Sequence, residues 1–442
     1  MKRGAPDYEA LVLDYTSAGR FEEALAVAEL AIAQPVGEQT LLHYYKSWCL
    51  IRLGKTAEAQ IAIATAEKEP ADYCFPNALE AIEALQCVVD FAGKAPKALY
   101  YLGNLWYDKR RYPTAIAAWE RSSREDETFP TVWRNLSLAY FNKMNRPDEA
   151  VALLEKAFRL DHTDARVLME LDQLYKRLNR PHIERLCFLE QHIDIVMTRD
   201  DLYLEYVTLL NQTGQYREAI RRIDQRKFHP WEGGEGKVPA QYQLARLELA
   251  KELINRKKYD DALALIDECY IYPTHLGEGK LPGAQENDFN YYKAYILQQQ
   301  GRPEAAHSLF VKACSGNSQP AAAMYYNDQK PDKIFYQGLA YRKLGEEEKA
   351  RSRFNQLITY GEEHLFDRFK MDYFAVSLPD LLIWEDDMDK KNRIHCNYLM
   401  ALGHLGLGNR TKAEHFFDIA ASMDNNHQGV QIHRKLMNTI LS

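Results

Sequence analysis

Apolar residues recur at helical spacing along nearly the whole chain, in segments such as Leu99-x-x-Leu102-Gly103-x-x-Trp106, Trp133-x-x-Leu136-Ser137-x-x-Tyr140 and Ile334-x-x-Gln337-Gly338-x-x-Tyr341. Such segments precede a short string, Gly-x-x-x-x-Ala, at Gly19 to Ala24, Gly54 to Ala59, Gly214 to Ala219, Gly301 to Ala306, Gly345 to Ala350 and Gly408 to Ala413. A glycine takes the left-handed cap that ends a helix at little steric cost, so the string predicts one helix stopping and a second starting just after it. Variants with Arg110, Asn145, Asn179 or Lys257 in the glycine place bring the predicted hairpins to ten.

The early alanine of each second helix lets the two helices approach closely, and pairs such as Ala24 and Ala28 keep the seam narrow. Large residues further along (Trp119, Leu154, Phe310, Phe354, Phe417) are expected to fill the gap to the next hairpin as core, not as a cofactor box. This is the tetratricopeptide signature, and it predicts an all-α, right-handed α-solenoid of about ten hairpins. The alanine places run 24, 59, 115, 150, 184 (held by Glu184), 219, 262, 306, 350 and 413. Steps of 34 or 35 are regular repeats; the step of 56 after Ala59 leaves room for an extra helix within Pro76 to Ala92. Steps of 43, 44, 44 and 63 after Ala219 mark extra helices and long loops in the C-terminal half. The expected divisions are repeats one and two over 5–68, an extra helix and connector over 69–95, repeats three to six over 96–227, repeats seven to ten with insertions over 228–426, and a capping helix over 427–442. The first hairpin begins without a polar capping helix, so a longer parent protein is expected.

Insertions in solenoids sit on loops of one face, where function is sought first. Two of them echo each other: Phe228-His-Pro-Trp-Glu-Gly-Gly-Glu-Gly-Lys237 and Tyr272-Pro-Thr-His-Leu-Gly-Glu-Gly-Lys280. A phosphate cradle needs G-x-x-x-x-G-K followed by Ser or Thr, and here Trp231 and Thr274 hold the first glycine place while Val238 and Leu281 follow the lysines. Either a glycine-rich turn or a loop folded over the concave face fits. Downstream, Asp288, Tyr291 and Tyr295, then Tyr325, and then Phe335 and Tyr336 predict an aromatic groove edged by acid and amide groups, set against ordinary packing between repeats. A carboxylate clamp at Asn104, Asn135 and Arg166 is opposed by Tyr100 and Glu170, which stand where the two cations of such a clamp should be.

Charge and cysteine usage narrow the class. Fifty-six Lys+Arg against 63 Asp+Glu give a net charge of −7, which argues against nucleic acid or an anionic membrane as partner. Seven dispersed cysteines without a C-x-x-C pair suggest a reducing, cytoplasmic setting, and no apolar run reaches a membrane span. Glu362-Glu363-His364, the acidic run Trp384 to Asp389, and His395-Cys396 lack the spacing of a metal or nucleophilic site, so no catalytic residue, metal or cofactor is expected.

The strings F-H-P-W-E-G-G-E-G-K (228–237), L-G-E-G-K-L (276–281), Y-Y-N-D-Q-K-P-D-K-I-F-Y-Q-G-L-A (325–340) and D-Y-F-A-V-S-L-P-D-L-L (372–382) resemble the C-terminal repeat array of a family of large bacterial proteins. Members carry an N-terminal β-sandwich region similar to galactose mutarotases. The resemblance implies a carbohydrate-related parent protein and points to His229, Trp231, Glu232, Glu235, Tyr291 and Tyr336 as contacts with that region or a glycan. The functional expectation is a protein-binding scaffold whose partner is its own N-terminal region or a second subunit; the rival is a carbohydrate-binding or carbohydrate-processing module using the aromatic groove.

Overall fold

The structure, a computed structural model, describes residues 5–34, 39–323, 328–368 and 383–437. Tyr325 and the 372–382 string lie outside them. Among the described residues the regular structure is entirely helical. Ten hairpins follow one another: Ala5–Ser17 with Phe21–Ile32, Thr40–Arg52 with Thr56–Ala66, Pro96–Asp108 with Tyr112–Glu125, Pro130–Met144 with Pro147–Leu160, and Ala165–Arg177 with His182–Gln191. Then come Asp200–Gln212 with Tyr216–Asp224, Lys237–Asn255 with Tyr259–Cys269, Asn287–Gln299 with Pro303–Ala313, Pro331–Lys343 with Glu347–His364, and Met388–Gly406 with Arg410–Met423. The long step after Ala59 houses an unpaired helix, Glu80–Ala92, and the chain closes its described part with the helix Gln428–Leu436.

The turn within each hairpin has the chemistry its sequence requires. The six glycines of the repeated string all take positive φ, and so do Arg110, Asn145, Asn179 and Lys257 in the same place, at 52° to 59°. A side chain there costs up to a few kcal/mol, so a common backbone is being imposed on four hairpins whose local sequence does not favour it. Pro96–Asp108, Tyr112–Glu125, Pro130–Met144, Pro147–Leu160, Pro303–Ala313 and Pro331–Lys343 open on proline at their first or second position, where a missing N–H costs nothing.

Packing follows the expected code. Ala24, Ala59, Ala115, Ala150, Ala219, Ala262, Ala350 and Ala413 are wholly buried. Trp119, Leu154, Phe310, Phe354 and Phe417 are buried as well. Trp119 lies flat against Gly103, where a Cβ would overlap its indole, and its ring nitrogen donates to the Tyr100 carbonyl at 3.1 Å. Phe354 occupies the same kind of seat between Gly338 and Gly406.

The chain divides into two compact units, 1–171 and 172–442. The first holds a continuous apolar core from Ala5 to Ala139, with Glu80–Ala92 contributing Ala81, Ala84, Leu85, Val88 and Val89 to it. In the second, the core runs from Tyr216 through every later hairpin to Leu436 and Met437, so the closing helix is part of it.

Candidate binding surfaces

The second unit is tied back on itself. The turn after Met423 reaches residues nearly 250 positions earlier: Asn179 Nδ2 donates to the Met423 carbonyl at 3.2 Å, and Asn179 Oδ1 accepts the Asn425 N–H at 3.1 Å. Gln212 donates to the Asn426 carbonyl at 2.8 Å, and the Asn426 side chain accepts from Arg185 at 2.7 Å while donating to the Lys176 carbonyl at 3.0 Å. Arg185 itself is fully buried, donating from Nε and one terminal nitrogen to Asp172 (3.0 and 2.7 Å) and from that same terminal nitrogen to Glu205 (2.7 Å). Burial works against the charge of Glu205, but Lys176 and Arg185 outweigh it and hold the carboxyl at about 2. A second tie joins Arg177 to Asp386 at 2.7 Å and to the Trp384 carbonyl.

This closure decides the fate of the predicted aromatic groove. His433 of the closing helix sits edge-on to Phe335 at 5.7 Å between centroids and beside Tyr336 at 5.8 Å, and its Nδ1 meets the Tyr398 hydroxyl at 3.0 Å. Tyr291 is enclosed by Tyr292, Phe310 and Tyr336. Tyr291, Phe335 and Tyr336 are therefore buried core rings with no free face for a sugar or a peptide. Asp288 is buried too, in an ion pair with Lys333. Tyr295 keeps part of its surface, with the Lys343 ammonium 5.6 Å from its ring. The expectation of an open groove at these positions is corrected: the sequence placed the rings on the right helices, but a covering helix some 100 residues downstream of Tyr336 was not foreseeable from local pattern.

The two echoing insertions meet each other. The Phe228 N–H donates to the His275 carbonyl at 2.8 Å, the Gly236 N–H donates to Glu278 at 2.7 Å, and Gly277, at φ +75°, lies so close to the Phe228 carbonyl that a Cβ would stand 2.7 Å from it. Trp231 stacks over Gly234, which covers one face of the indole. Around it His229, Glu232, Glu235, Leu276 and Glu278 line a cavity of about 290 Å³. His229, Glu232 and Glu235 are exposed, whereas Trp231 is half-buried.

The loop is anchored at Asp200, whose carboxylate accepts the His229 backbone N–H at 2.9 Å, the His229 ring at 3.1 Å and Arg226 at 2.6 Å. Burial pushes the Asp200 carboxyl up, but these donors win and hold it below the ordinary carboxylate range. A lowered folded value means the anchorage is complete above the usual aspartate pKa and is lost as pH falls through the folded one. Asp200→Asn is expected to raise hydrogen exchange across 228–236 about tenfold or more, since a charge-assisted hydrogen bond is worth about 1.5–3 kcal/mol. Unchanged exchange by mass spectrometry would mean that the paired insertions hold the loop without Asp200.

In the first unit the clamp residues are satisfied internally. Asn104 accepts from Asn135 at 3.0 Å and from Trp119 at 3.2 Å, and Glu170 is held by Arg134 in a two-pronged pair and by Arg166. The same unit has a surface that sequence reasoning did not single out. Ile51, Leu79, Ile82, Glu83, Gln86, Cys87, Asp90 and Phe91 line a largely apolar hollow of about 730 Å³ beside Glu80–Ala92. In the loop leading to that helix Tyr73, Phe75 and Leu79 are 85%, 77% and 64% exposed. The only signal for it was the 56-residue step between signature alanines.

In the other candidate strings His395, His364 and Asp387 each have a nearby partner. His395, half-buried, has its Nε2 2.8 Å from the Ala321 carbonyl, and desolvation lowers its pKa to about 4 and raises that of Cys396 to about 11. His364 pairs with Asp367 at 2.6 Å, and Asp387 caps Met388–Gly406. Among the described residues no three His, Cys, Asp or Glu side chains converge as metal ligands, and no helix is long and apolar enough to cross a membrane.

Tetratricopeptide-repeat family profiles match residues 75–130 and 334–360. Among solved structures, a tetratricopeptide repeat protein from Parabacteroides merdae is 16% identical, covering 69% of this chain and 99% of its own, with a TM-score of 0.27. YrrB, described as a TPR protein with an unusual peptide-binding site, is 15% identical over 42% of this chain and 91% of its own, with a TM-score of 0.33. The Naa15/Naa10 complex bound to HypK-THB gives 14% identity over 98% of this chain and 66% of that one, with a TM-score of 0.32. Ten hairpins turning through left-handed caps, with small residues at the seams, make this chain an all-α array of helix hairpins whose residues 75–130 and 334–360 are similar to tetratricopeptide repeats.

Proposed function

We propose that the chain is a scaffold that binds a partner protein, and that its first unit offers the docking surface at Glu80–Ala92. The observation that carries this reading is the apolar hollow of about 730 Å³ flanked by Glu83 and Asp90. An exposed apolar surface rimmed by polar groups is characteristic of protein contacts, and a soluble chain rarely keeps one without use. Its acidic rim complements an amphipathic helix with Lys or Arg beside its apolar stripe, laid into the hollow as such helices are in other grooves. The partner is another region of a longer chain or a separate subunit.

The test is affinity capture followed by titration of the purified, identified partner against the unaltered chain and against a Leu79→Glu/Phe75→Glu variant, both positions being exposed enough to leave the fold intact. A drop in affinity of at least about tenfold is expected from placing two carboxylates on the apolar surface. Equal affinity for both proteins would sink the assignment of this surface.

A carbohydrate reading rests on the Trp231 cavity, where an indole stands among Glu232, Glu235 and Glu278. It is the weaker of the two, because Gly234 occupies one face of the ring and the tyrosines meant to extend the platform are in the core.

A further inference from the structure

The closing segment of the second unit has the anatomy of a bound peptide. Its contacts with the early hairpins join residues about 190 to 250 positions apart, and most are made by side-chain amide and guanidinium groups reading main-chain atoms or amides of residues 423–428. Asn179 brackets the Met423 carbonyl and the Asn425 N–H, Gln212 takes the Asn426 carbonyl, and Gln241 exchanges amide hydrogen bonds with Gln428 at 2.8 and 3.0 Å. Beyond the turn the segment becomes a helix of nine residues, too short to hold its shape alone, which lays His433 on Phe335, Tyr336 and Tyr398 and extends Lys435 to the Tyr216 hydroxyl at 3.2 Å. An aromatic centre with a hydrogen-bonded polar rim is how separate proteins meet.

The covered surface also runs in one register. Glu205, Glu248, Tyr292 and Tyr336 each precede the signature alanine of their hairpin by 14 residues, so they form one stripe along the first helices. His433 of the closing helix lies beside Tyr336 at one end of that stripe; Tyr292, Tyr336, Glu248 and its ion-pair partner Lys251 are buried, while Glu205 keeps part of its surface.

We infer that the stripe on the second unit's first helices is a peptide-binding groove whose resident ligand is the chain's own segment 423–437. The ligand class is an extended turn presenting two asparagines to Asn179, Gln212 and Arg185, continuing into a short helix that offers one imidazole to an aromatic floor. Binding of this kind is intramolecular and reversible: the segment leaves its groove without unfolding the hairpins beneath it. This does not depend on the docking surface proposed for the first unit.

Gly429 supplies the means to evict the segment. A Cβ there would stand 2.6 Å from the Tyr398 hydroxyl and 2.7 Å from its ring, although a side chain at this position favours the helix itself. The full chain carrying Asn426→Ala and Gly429→Val is compared with the unaltered chain for binding of a fluorescent peptide with the sequence of residues 422–437, read by anisotropy. The variant should take the peptide saturably and at least tenfold more tightly than the unaltered chain, whose groove is filled. In the unaltered chain, amides of Gln428–Leu436 should exchange at least tenfold faster than those of Pro331–Lys343. A variant that stays helical but ignores the peptide, equal binding by both proteins, or equal exchange in the two helices overturns the inference. So does a variant that loses its helical signal altogether, because a resident ligand leaves its host folded.

Discussion

Arg185→Met should cost the second unit about 3–5 kcal/mol, the largest single loss expected from removing one charge anywhere in the described chain. The side chain is without exposure, and one of its terminal nitrogens is shared between Asp172 and Glu205, both at 2.7 Å. With Lys176 on Glu205 at 2.9 Å, two cations balance two carboxylates. Taking away one cation leaves a buried excess of negative charge and strands the Asn426 oxygen that Arg185 also served. Methionine fills similar volume, so the loss reports charge and hydrogen bonding more than a cavity. Two consequences separate this account from simple misfit. Asp172→Asn added to Arg185→Met should recover about half of the loss, since the remaining carboxylate still has Lys176. In the single variant the stranded carboxyls rise above their unfolded values, so its deficit should shrink as pH falls from 8 to 5, over a range where the unaltered chain changes little at Glu205, held near 2. Urea unfolding followed by circular dichroism checks both; a deficit independent of pH would mean that packing, not charge, is what Arg185 supplies.

That tetrad also marks where the sequence stops being legible. The hairpins are written locally: a turn residue, a small residue five places later and a large one further on recur often enough that Arg110 and Lys257 could be assigned to left-handed turns without being glycine, and both take φ near 58°. The seat of Trp119 on Gly103 follows from the same arithmetic. Asn179, placed in a turn by the same string, gave no hint that its side chain would hold Met423 and Asn425, because nothing in one sequence pairs positions about 245 residues apart. The tyrosines show the same limit from the other side. Tyr291 and Tyr336 lie on first helices as the period required, and whether such a ring faces solvent or core depends on whether something covers it. The echo of the two G-E-G-K strings was visible, but their mutual contact through Phe228, Gly236 and Gly277 is a tertiary fact. The hollow beside Glu80–Ala92 was announced only as a break in spacing, since irregularity tells where a repeat departs from its neighbours and not what surface the departure exposes.

Phe354→Ala is expected to cost about 3–5 kcal/mol and to loosen one hairpin from the next, because its ring is shared between two of them. The ring is wholly buried, seated on Gly338 of its own hairpin and Gly406 of the following one, 5.9 Å from Phe335 and under the Arg342 guanidinium at 5.2 Å. Alanine leaves a void bounded by two glycines, and glycines have no side chain with which to collapse into it. The same geometry fixes the sign of a second substitution. In the unaltered chain Gly338→Ala drives a methyl into the Phe354 ring, and overpacking of this kind costs about 1–3 kcal/mol despite the helix preference for alanine. In the Phe354→Ala background the methyl enters vacant space and brings its helix preference with it, so Gly338→Ala should there be neutral or stabilising by up to about 1 kcal/mol. A cycle of the four proteins, measured by urea unfolding, should therefore give a coupling of at least about 1.5 kcal/mol between positions 338 and 354. Additive effects would mean that the helices shift to accommodate the ring, and that the Gly-to-aromatic seat, repeated at Gly103 and Trp119, is a habit of the sequence and not what sets the distance between neighbouring hairpins.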